Sequence, residues 1–201
     1  TAEITERGLV GKINQALAAE INLAGGRAVG LSGRDGNLVR AVREKPAMVD
    51  GAEVDLGRVG RPERIDATIL SDLLKCGYIP VVAPTGMASD GSMLNINGDT
   101  AAAHIAGALA AEKLIFLTDQ KGILRDVKDP ESVISTVTLG EIEDLKARGI
   151  VSGGMIPKLA AARAAIEADV KSAHVIDGRL PHSLLLELFT SAGIGTMIAR
   201  H

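Results

Sequence analysis

Three short segments set polar and glycine residues between apolar runs, each with a spacing that chemistry could use. Asn95-Ile96-Asn97-Gly98-Asp99-Thr100 joins an expected strand to an alanine-rich helix. Ligands of open α/β sheets gather at the carboxyl ends of strands, where these polar groups would meet them. The alternative is an Asx-rich turn in which Asp99 is the helix N-cap. Leu117-Thr118-Asp119-Gln120-Lys121-Gly122-Ile123-Leu124 directly follows an apolar strand. A Thr-Asp pair there can hydrogen-bond ribose hydroxyls or a base edge, and Gly122 lets the backbone turn closely around a ligand. An ordinary β-turn with a solvated Lys121 is the competing reading. In Ser152-Gly153-Gly154-Met155-Ile156-Pro157-Lys158, the glycines expose N–H groups at a helix start, where the dipole favours an anion. Lys158 lies about one turn in, placed to meet that negative charge. A surface lysine after a flexible loop is the plainer account.

Other chemistries find no support. Gly30 to Gly36 is glycine-rich after a strand but is not G-x-G-x-x-G, and no G-x-x-x-x-G-K-[ST] segment exists. His104, His174, His182 and His201 have no metal-ligand spacing with cysteine or carboxylates, so no metal ligands are assigned. His104, inside an alanine-rich helix, reads as a packed helix residue. A Ser-His-Asp hydrolase has no nucleophile elbow to support it.

Composition narrows the partners. The 201 residues are 46% hydrophobic but 1% aromatic, so the core is aliphatic, and base stacking on rings is close to excluded. A formal charge of −3 argues against nucleic acid or an anionic membrane. Cys76, the single cysteine, excludes an intrachain disulfide framework and fits a reducing compartment. No apolar run approaches the roughly 20 residues that span a bilayer, and Thr1 leads directly into an amphipathic helix rather than a signal peptide. These features predict a cytoplasmic protein.

Alternating elements must position the three segments. A helix is expected over residues 4–24, with Leu9, Ile13, Ala16, Leu17 and Ile21 on its apolar face and Gly25-Gly26 as its stop. Strands follow at 27–31, 38–43 and 53–64, and Asp66 caps a helix carrying Ile69, Leu70, Leu73 and Leu74. Residues 78–83 form a continuous apolar strand, which suits a parallel sheet covered on both faces. Strands at 93–95, 113–118, 173–176 and 195–198 then alternate with helices at 99–110, 139–147, from about 155 (with Met155, Leu159, Ala162 and Ile166 on one face), and 181–188. The pattern predicts a three-layer αβα sandwich with an open, mainly parallel sheet, opening on a helix with no strand before it.

From Thr1 to Met197 the chain resembles the amino-acid kinase family, and within it the acetylglutamate-phosphorylating branch. Colinear segments carry the resemblance: Leu9 to Asn14, Ala28 to Gly36, Gly77 to Pro84, Asn95 to Asp99, Leu117 to Leu124, Ser152 to Lys158, and Asp177-Gly178-Arg179 through Glu187 to Thr190. It implies phosphoryl transfer from ATP, with Mg²⁺ held mainly by the nucleotide phosphates, to the side-chain carboxylate of N-acetyl-L-glutamate, a step of arginine biosynthesis. By the same resemblance Lys158 contacts the transferring phosphoryl group, Asp99 orients catalytic lysines, and Asn95 binds acetylglutamate. Asp119, Gln120, Lys121, Gly122, Ile123 and Leu124, with Ile150, Val151 and Ser152, line the nucleotide site. Residues 1–97 correspond to the acetylglutamate-binding and dimerisation part, and 98–201 to the nucleotide-binding part of a single domain.

The family's opening strand, with its catalytic lysine, Gly-Gly loop and substrate-clamping Arg, has no counterpart here. The expectation is a chain shortened at its amino terminus, with a catalytically incomplete arginine- or nucleotide-sensing module as the rival. His174, Glu187 and Gly193 fall where arginine-inhibited members hold L-arginine, with a packed histidine beside a helix-end carboxylate as the plain alternative. A homodimer is expected, or a hexamer in longer members.

Overall fold

Residues 6–49, 51–190 and 193–201 are described by the computed structural model; Thr1 and Ile4, at the expected start of the first helix, lie outside them. The chain divides into two units, one ending at Leu109 and the other starting at Ala110.

The first unit opens with α1 (Arg7–Asn14), which has π-type hydrogen bonding and runs into the α-helix α2 (Gln15–Leu23). Here the expected apolar face is overturned in its middle, while Leu9 and Ile21 at its ends are half-buried. Ile13 and Leu17 are 58% and 51% exposed and Ala16 is exposed, whereas Asn14 and Ala18 are buried. A π-type turn holds more residues than an α-turn, so a 3.6-residue period no longer marks one face. Asn14 also has polar work inside: its Nδ2 donates to the carbonyls of Val81 at 2.6 Å and Leu31 at 3.3 Å. That ties the helix to both strands of a parallel pair, β1 (Ala28–Ser32) and β6 (Ile79–Ala83), registered Ala28 to Ile79 through Ser32 to Ala83.

Four further strands close a ring: β2 (Val39–Arg43), β5 (Val59–Ile65), β8 (Met93–Ile96) and β7 (Thr85–Met87). The expected open sheet did not include this closure. The single strand expected at 53–64 is two, because Asp55 to Gly57 turns between β4 (Ala52–Val54), paired with β3 (Ala47–Val49), and β5. Helix α3 (Thr68–Lys75) has Ala67 rather than Asp66 at its N-cap; Asp66, one residue earlier, still accepts through Oδ1 from the Thr68 N–H and Oγ1. Helix α4 (Gly98–Ala108) packs against β5 and buries Ala101, Ala103 and Ala106, small side chains that allow close approach. Leu31, Leu38, Val39, Leu70, Leu94 and Ile96 form the centre of the core. His104 is exposed rather than packed, its Nδ1 2.9 Å from the Thr100 carbonyl one turn back.

In the second unit, β10 (Thr136–Thr138), β12 (Thr196–Ala199), β11 (Ser172–Asp177) and β9 (Lys113–Thr118) form a sheet in that order. Only the β11–β12 pair in it is antiparallel. Central β11 is buried from Ser172 to Ile176, as a strand covered on both faces must be. Helix α6 (Met155–Glu167) packs on β9 and β11 through Leu159, Ala162 and Ile166, the expected face. Two short helices, α5 (Ile142–Ala147) and α7 (Ser183–Phe189), complete the unit.

The loop after β1 is stitched across the first unit. The Gly33 N–H donates to Thr85 Oγ1 at 3.2 Å, and a Cβ on Gly33 would lie 1.8 Å from the Thr85 carbonyl oxygen. Because that neighbour is backbone, Gly33→Ala forces a main-chain shift. We expect a loss of about 1–3 kcal/mol, read as a lower urea midpoint at unchanged slope; an unaltered midpoint would show that the loop relaxes freely.

Candidate active site

Strands β9 and β11 run parallel and end together, with Thr118 in register with Asp177. The Gly178 N–H donates to the Thr118 carbonyl at 2.8 Å, so the two following loops leave the sheet side by side. This is the strand end at which open α/β sheets bind ligands. Thr118 Oγ1 donates to Asp119 Oδ1 at 3.2 Å. On the neighbouring loop, Arg179 grips Asp177 with Nε at 2.9 Å and Nη2 at 2.8 Å, and its own N–H adds a third bond. Those bonds, with the charges of Arg179 and Lys121, lower the Asp177 carboxyl to about 2, and Asp177 in turn raises the Arg179 guanidinium above its ordinary value. Lys121 is paired with Glu131 at 2.6 Å and holds that carboxyl below the usual range.

The root of the loop is dry. Gly122 and Ile123 are buried, Leu124 is half-buried, and Asp119, Gln120 and Lys121 form the exposed rim. The Ile123 N–H donates to Thr196 Oγ1 at 2.8 Å, its carbonyl accepts from the Ile134 N–H, and Leu124 bridges to Val133.

Ahead of α6, Ile150 is half-buried, Val151 buried and Ser152 exposed. The helix start is less open to an anion than glycine content alone suggests. Met155 and Ile156 already donate to the carbonyls of Ser152 and Gly153 at 3.2 Å, and Pro157 has no N–H. Positive charge at this end comes from the helix dipole and from Lys158. The half-buried Lys158 places Nζ 5.8 Å from the centroid of the Phe116 ring on β9. The structure thus brings Lys158 onto the strand whose carboxyl end carries loop 119–124.

Asn95 and Asp99 belong to the first unit, at the β8–α4 junction. Asn95 is half-buried in β8, between Val59 of β5 and Thr85 of β7. The N-cap of α4 is Asn97, whose Oδ1 accepts from the Thr100 N–H at 3.0 Å, and not Asp99. Asn97 has the extended ψ of 130° that a cap needs, which leaves Asp99 in the first helical turn, where a carboxylate complements the dipole. Among the described residues no group of three or more His, Cys, Asp or Glu could hold a metal ion, and no helix is long and apolar enough to cross a membrane.

His174, Glu187 and Gly193 do come together. His174 Nδ1 lies 2.6 Å from Glu187 Oε1 and its Nε2 2.9 Å from Ser172 Oγ, all three residues buried. The Ile194 N–H donates to Glu187 Oε2 at 2.8 Å, and Gly193 packs against the same carboxylate. Burial pushes the Glu187 carboxyl up, but bonds from Ile194, His174 and Gly195, with the His174 charge, outweigh it and leave the group below its ordinary value.

The profile of the Amino acid kinase family matches residues 1–177. An acetylglutamate kinase from Moorella thermoacetica is 48% identical over 202 residues, covering 98% of this chain and 68% of that protein. Two solved structures of N-acetylglutamate synthase from Neisseria gonorrhoeae superpose at 28% identity. The one with coenzyme A and N-acetyl-glutamate has a TM-score of 0.83 and covers 98% of this chain and 43% of that one. The one with coenzyme A and L-arginine has a TM-score of 0.74, with 98% and 46% covered. The chain belongs to the amino acid kinase family and has its fold.

Three residues that reach the site, Asp177, Arg179 and Thr196, carry no role in the sequence reading. An Asp-Gly-Arg at a strand's carboxyl end could have flagged the first two; nothing local marks Thr196.

The depressed Glu187 carboxyl stabilises the fold above its ordinary range, and that contribution fades as pH falls through the folded value. Glu187→Gln should cost about 2 kcal/mol near neutrality, where a charged buried hydrogen-bond acceptor is lost. The gap from the parent should narrow below the ordinary value of 4.5. Urea unfolding from pH 7 to 3.5 measures it, and a gap that does not vary with pH would refute the ionised carboxylate.

Proposed function

We propose that the protein transfers the γ-phosphoryl group of ATP to the side-chain carboxylate of N-acetyl-L-glutamate, giving N-acetyl-L-glutamyl 5-phosphate in arginine biosynthesis. Relatives with that activity in their name support the reading, at 48% identity across 98% of the chain. The observation that carries it is the seating of Lys158 over β9, on the strand whose end bears Thr118 and Asp119. The kinase names of those relatives, and Asn95, Asp99 and Lys158 together, speak for catalysis over a purely sensing module. A cytoplasmic location belongs to the same proposal, and use of ATP and the single Cys76 support it.

In this reading a carboxylate oxygen attacks the γ-phosphorus, the bond to the bridging oxygen breaks, and ADP leaves with the electron pair. Two anions must approach, so the protein's task is positioning and charge neutralisation. Lys158 meets the transferring phosphoryl group, where a preorganised ammonium is worth most. Asn95 hydrogen-bonds acetylglutamate, and Asp99 supplies the negative charge that orients catalytic ammonium groups. Loop 119–124 and residues 150–152 line the nucleotide, with Thr118 and Asp119 suited to ribose hydroxyls. Mg²⁺ shields the phosphates that carry it. We assign acetylglutamate binding and dimerisation to residues 1–97 and nucleotide binding to 98–201.

Lys158→Ala should lower kcat by roughly 10²–10³-fold, as removal of one electrostatic stabiliser does, with a smaller change in the KM for ATP. Asp99→Asn should act in the same direction. Trapping the acyl phosphate with hydroxylamine measures both, and near-normal turnover of Lys158→Ala would sink the assigned role.

L-Arginine is the proposed feedback inhibitor, with Glu187 as the carboxylate for its cationic group and His174 and Gly193 beside it. The arginine complex of the structurally similar synthase supports this reading. Arginine titration should depress turnover, and Glu187→Gln should blunt the response; a rate indifferent to arginine would refute it.

A further inference from the structure

Thr196 is fully buried at the start of β12, and a strand ladder needs only its main chain. Its hydroxyl is used elsewhere. Oγ1 accepts the Ile123 N–H at 2.8 Å, satisfying a donor in a residue that is only 2% exposed. The same oxygen occupies the space beside Gly122, where a Cβ would lie 2.6 Å away. Gly122 has φ +143°, a conformation open to glycine but rarely adopted by L side chains, so both its backbone and the Thr196 hydroxyl beside it exclude a Cβ here. One hydroxyl therefore fixes both residues at the root of loop 119–124.

Thr196 is itself held. Ile194, two residues earlier, donates its N–H to Glu187 Oε2 at 2.8 Å. Between them, Gly195 packs so closely on β11 that a Cβ would fall 2.2 Å from the Val175 carbonyl oxygen. A continuous set of contacts thus runs from Glu187 through Ile194 and Gly195 to Thr196, and on to Ile123.

We propose that Thr196 is a positioning residue for the nucleotide: its hydroxyl fixes the root of loop 119–124 and so aims the rim Asp119 to Lys121, while the Glu187 carboxylate keeps Thr196 in place. The inference rests on the reading of that loop as nucleotide-binding. Loss of the hydroxyl leaves the buried Ile123 N–H without its acceptor, which loosens the loop rather than the sheet. Neither Thr196 nor Glu187 needs to touch the nucleotide.

Thr196→Val keeps the shape and deletes the hydroxyl, whereas Thr196→Ser keeps the hydroxyl and deletes a methyl. Amide hydrogen exchange at Ile123, relative to Val175 in central β11, reads the positioning without any ligand. Calorimetric titration with Mg²⁺ and a non-hydrolysable ATP analogue reads its consequence. Thr196→Val should speed exchange at Ile123 selectively and weaken the analogue roughly tenfold, the size of one lost buried hydrogen bond. The KM for ATP should rise while that for acetylglutamate holds. Thr196→Ser should stay within about twofold of the parent in all readouts. Parent-like exchange and affinity in Thr196→Val would overturn the proposal, as would an equal loss in Thr196→Ser. Faster Ile123 exchange with unchanged analogue affinity would instead overturn the reading of the loop as nucleotide-binding. If Thr196→Val does not fold, Glu187→Gln, which weakens the hold on Ile194, should speed exchange at Ile123 over Val175, and parent-like exchange there would overturn the proposal.

Discussion

The parallel pairing of β9 with β11 is the constraint on which the second unit's chemistry depends. Its register puts Thr118 beside Asp177, and the Gly178 N–H extends the ladder one bond past the strands. Two loops are thereby delivered to one end of the sheet. The same pairing fixes Phe116, and with it the ring over which Lys158 lies. A parallel strand of this kind must be covered on both faces, which explains why β11 is buried from Ser172 to Ile176 and why α6 packs on it. Lysine, loop and aspartate are then consequences of one strand register rather than separate arrangements.

The charges at that end divide into two kinds. Arg179 and Lys121 are neutralised by Asp177 and Glu131, in a fork and a short ion pair. Their first effect is to hold the loops in shape, and Asp177, lowered to about 2, keeps its part of the fork across the physiological range. Lys158 differs in its place: it rises from a helix's first turn, where the field is already positive. The proposed site would take phosphate by charge and backbone, in keeping with a chain that is 1% aromatic.

Most elements were legible because they repeat a period: β9 was bounded correctly at 113–118, and α6 carries its expected buried face. Position in the chain also sufficed for Lys158 and for the Thr118-Asp119 pair, which follow directly from where a strand or helix ends. Long-range pairings were not legible. Three-residue strands such as β7 and β10 have too few positions to show alternation, and the closed ring depends on a single pair, Arg40 with Met87, between β2 and β7. Asp99 was offered as a cap because Asn, Gly and Asp adjoin; only the backbone angles separate them, and they select Asn97. Thr196 and Ile123 meet across 73 residues, beyond any local signal.

Helices α1 and α7 both bury polar side chains and expose apolar ones. In α7, Leu185 is 55% and Phe189 80% exposed, while Ser183 and Glu187 are buried. In α1, Asn14 is buried and Ile13 is exposed. Both helices are attached through hydrogen bonds rather than through an apolar stripe. Apolar burial is non-directional and tolerates small shifts, but a hydrogen bond does not. Asn14 therefore fixes its helix against two particular carbonyls, and Glu187 fixes α7 against one imidazole and one N–H. An attachment of the second kind depends on charge, since a protonated Glu187 is a weaker acceptor for both partners. Position and responsiveness thus come from the same buried carboxylate, and the segment it holds is the one that leads into Thr196.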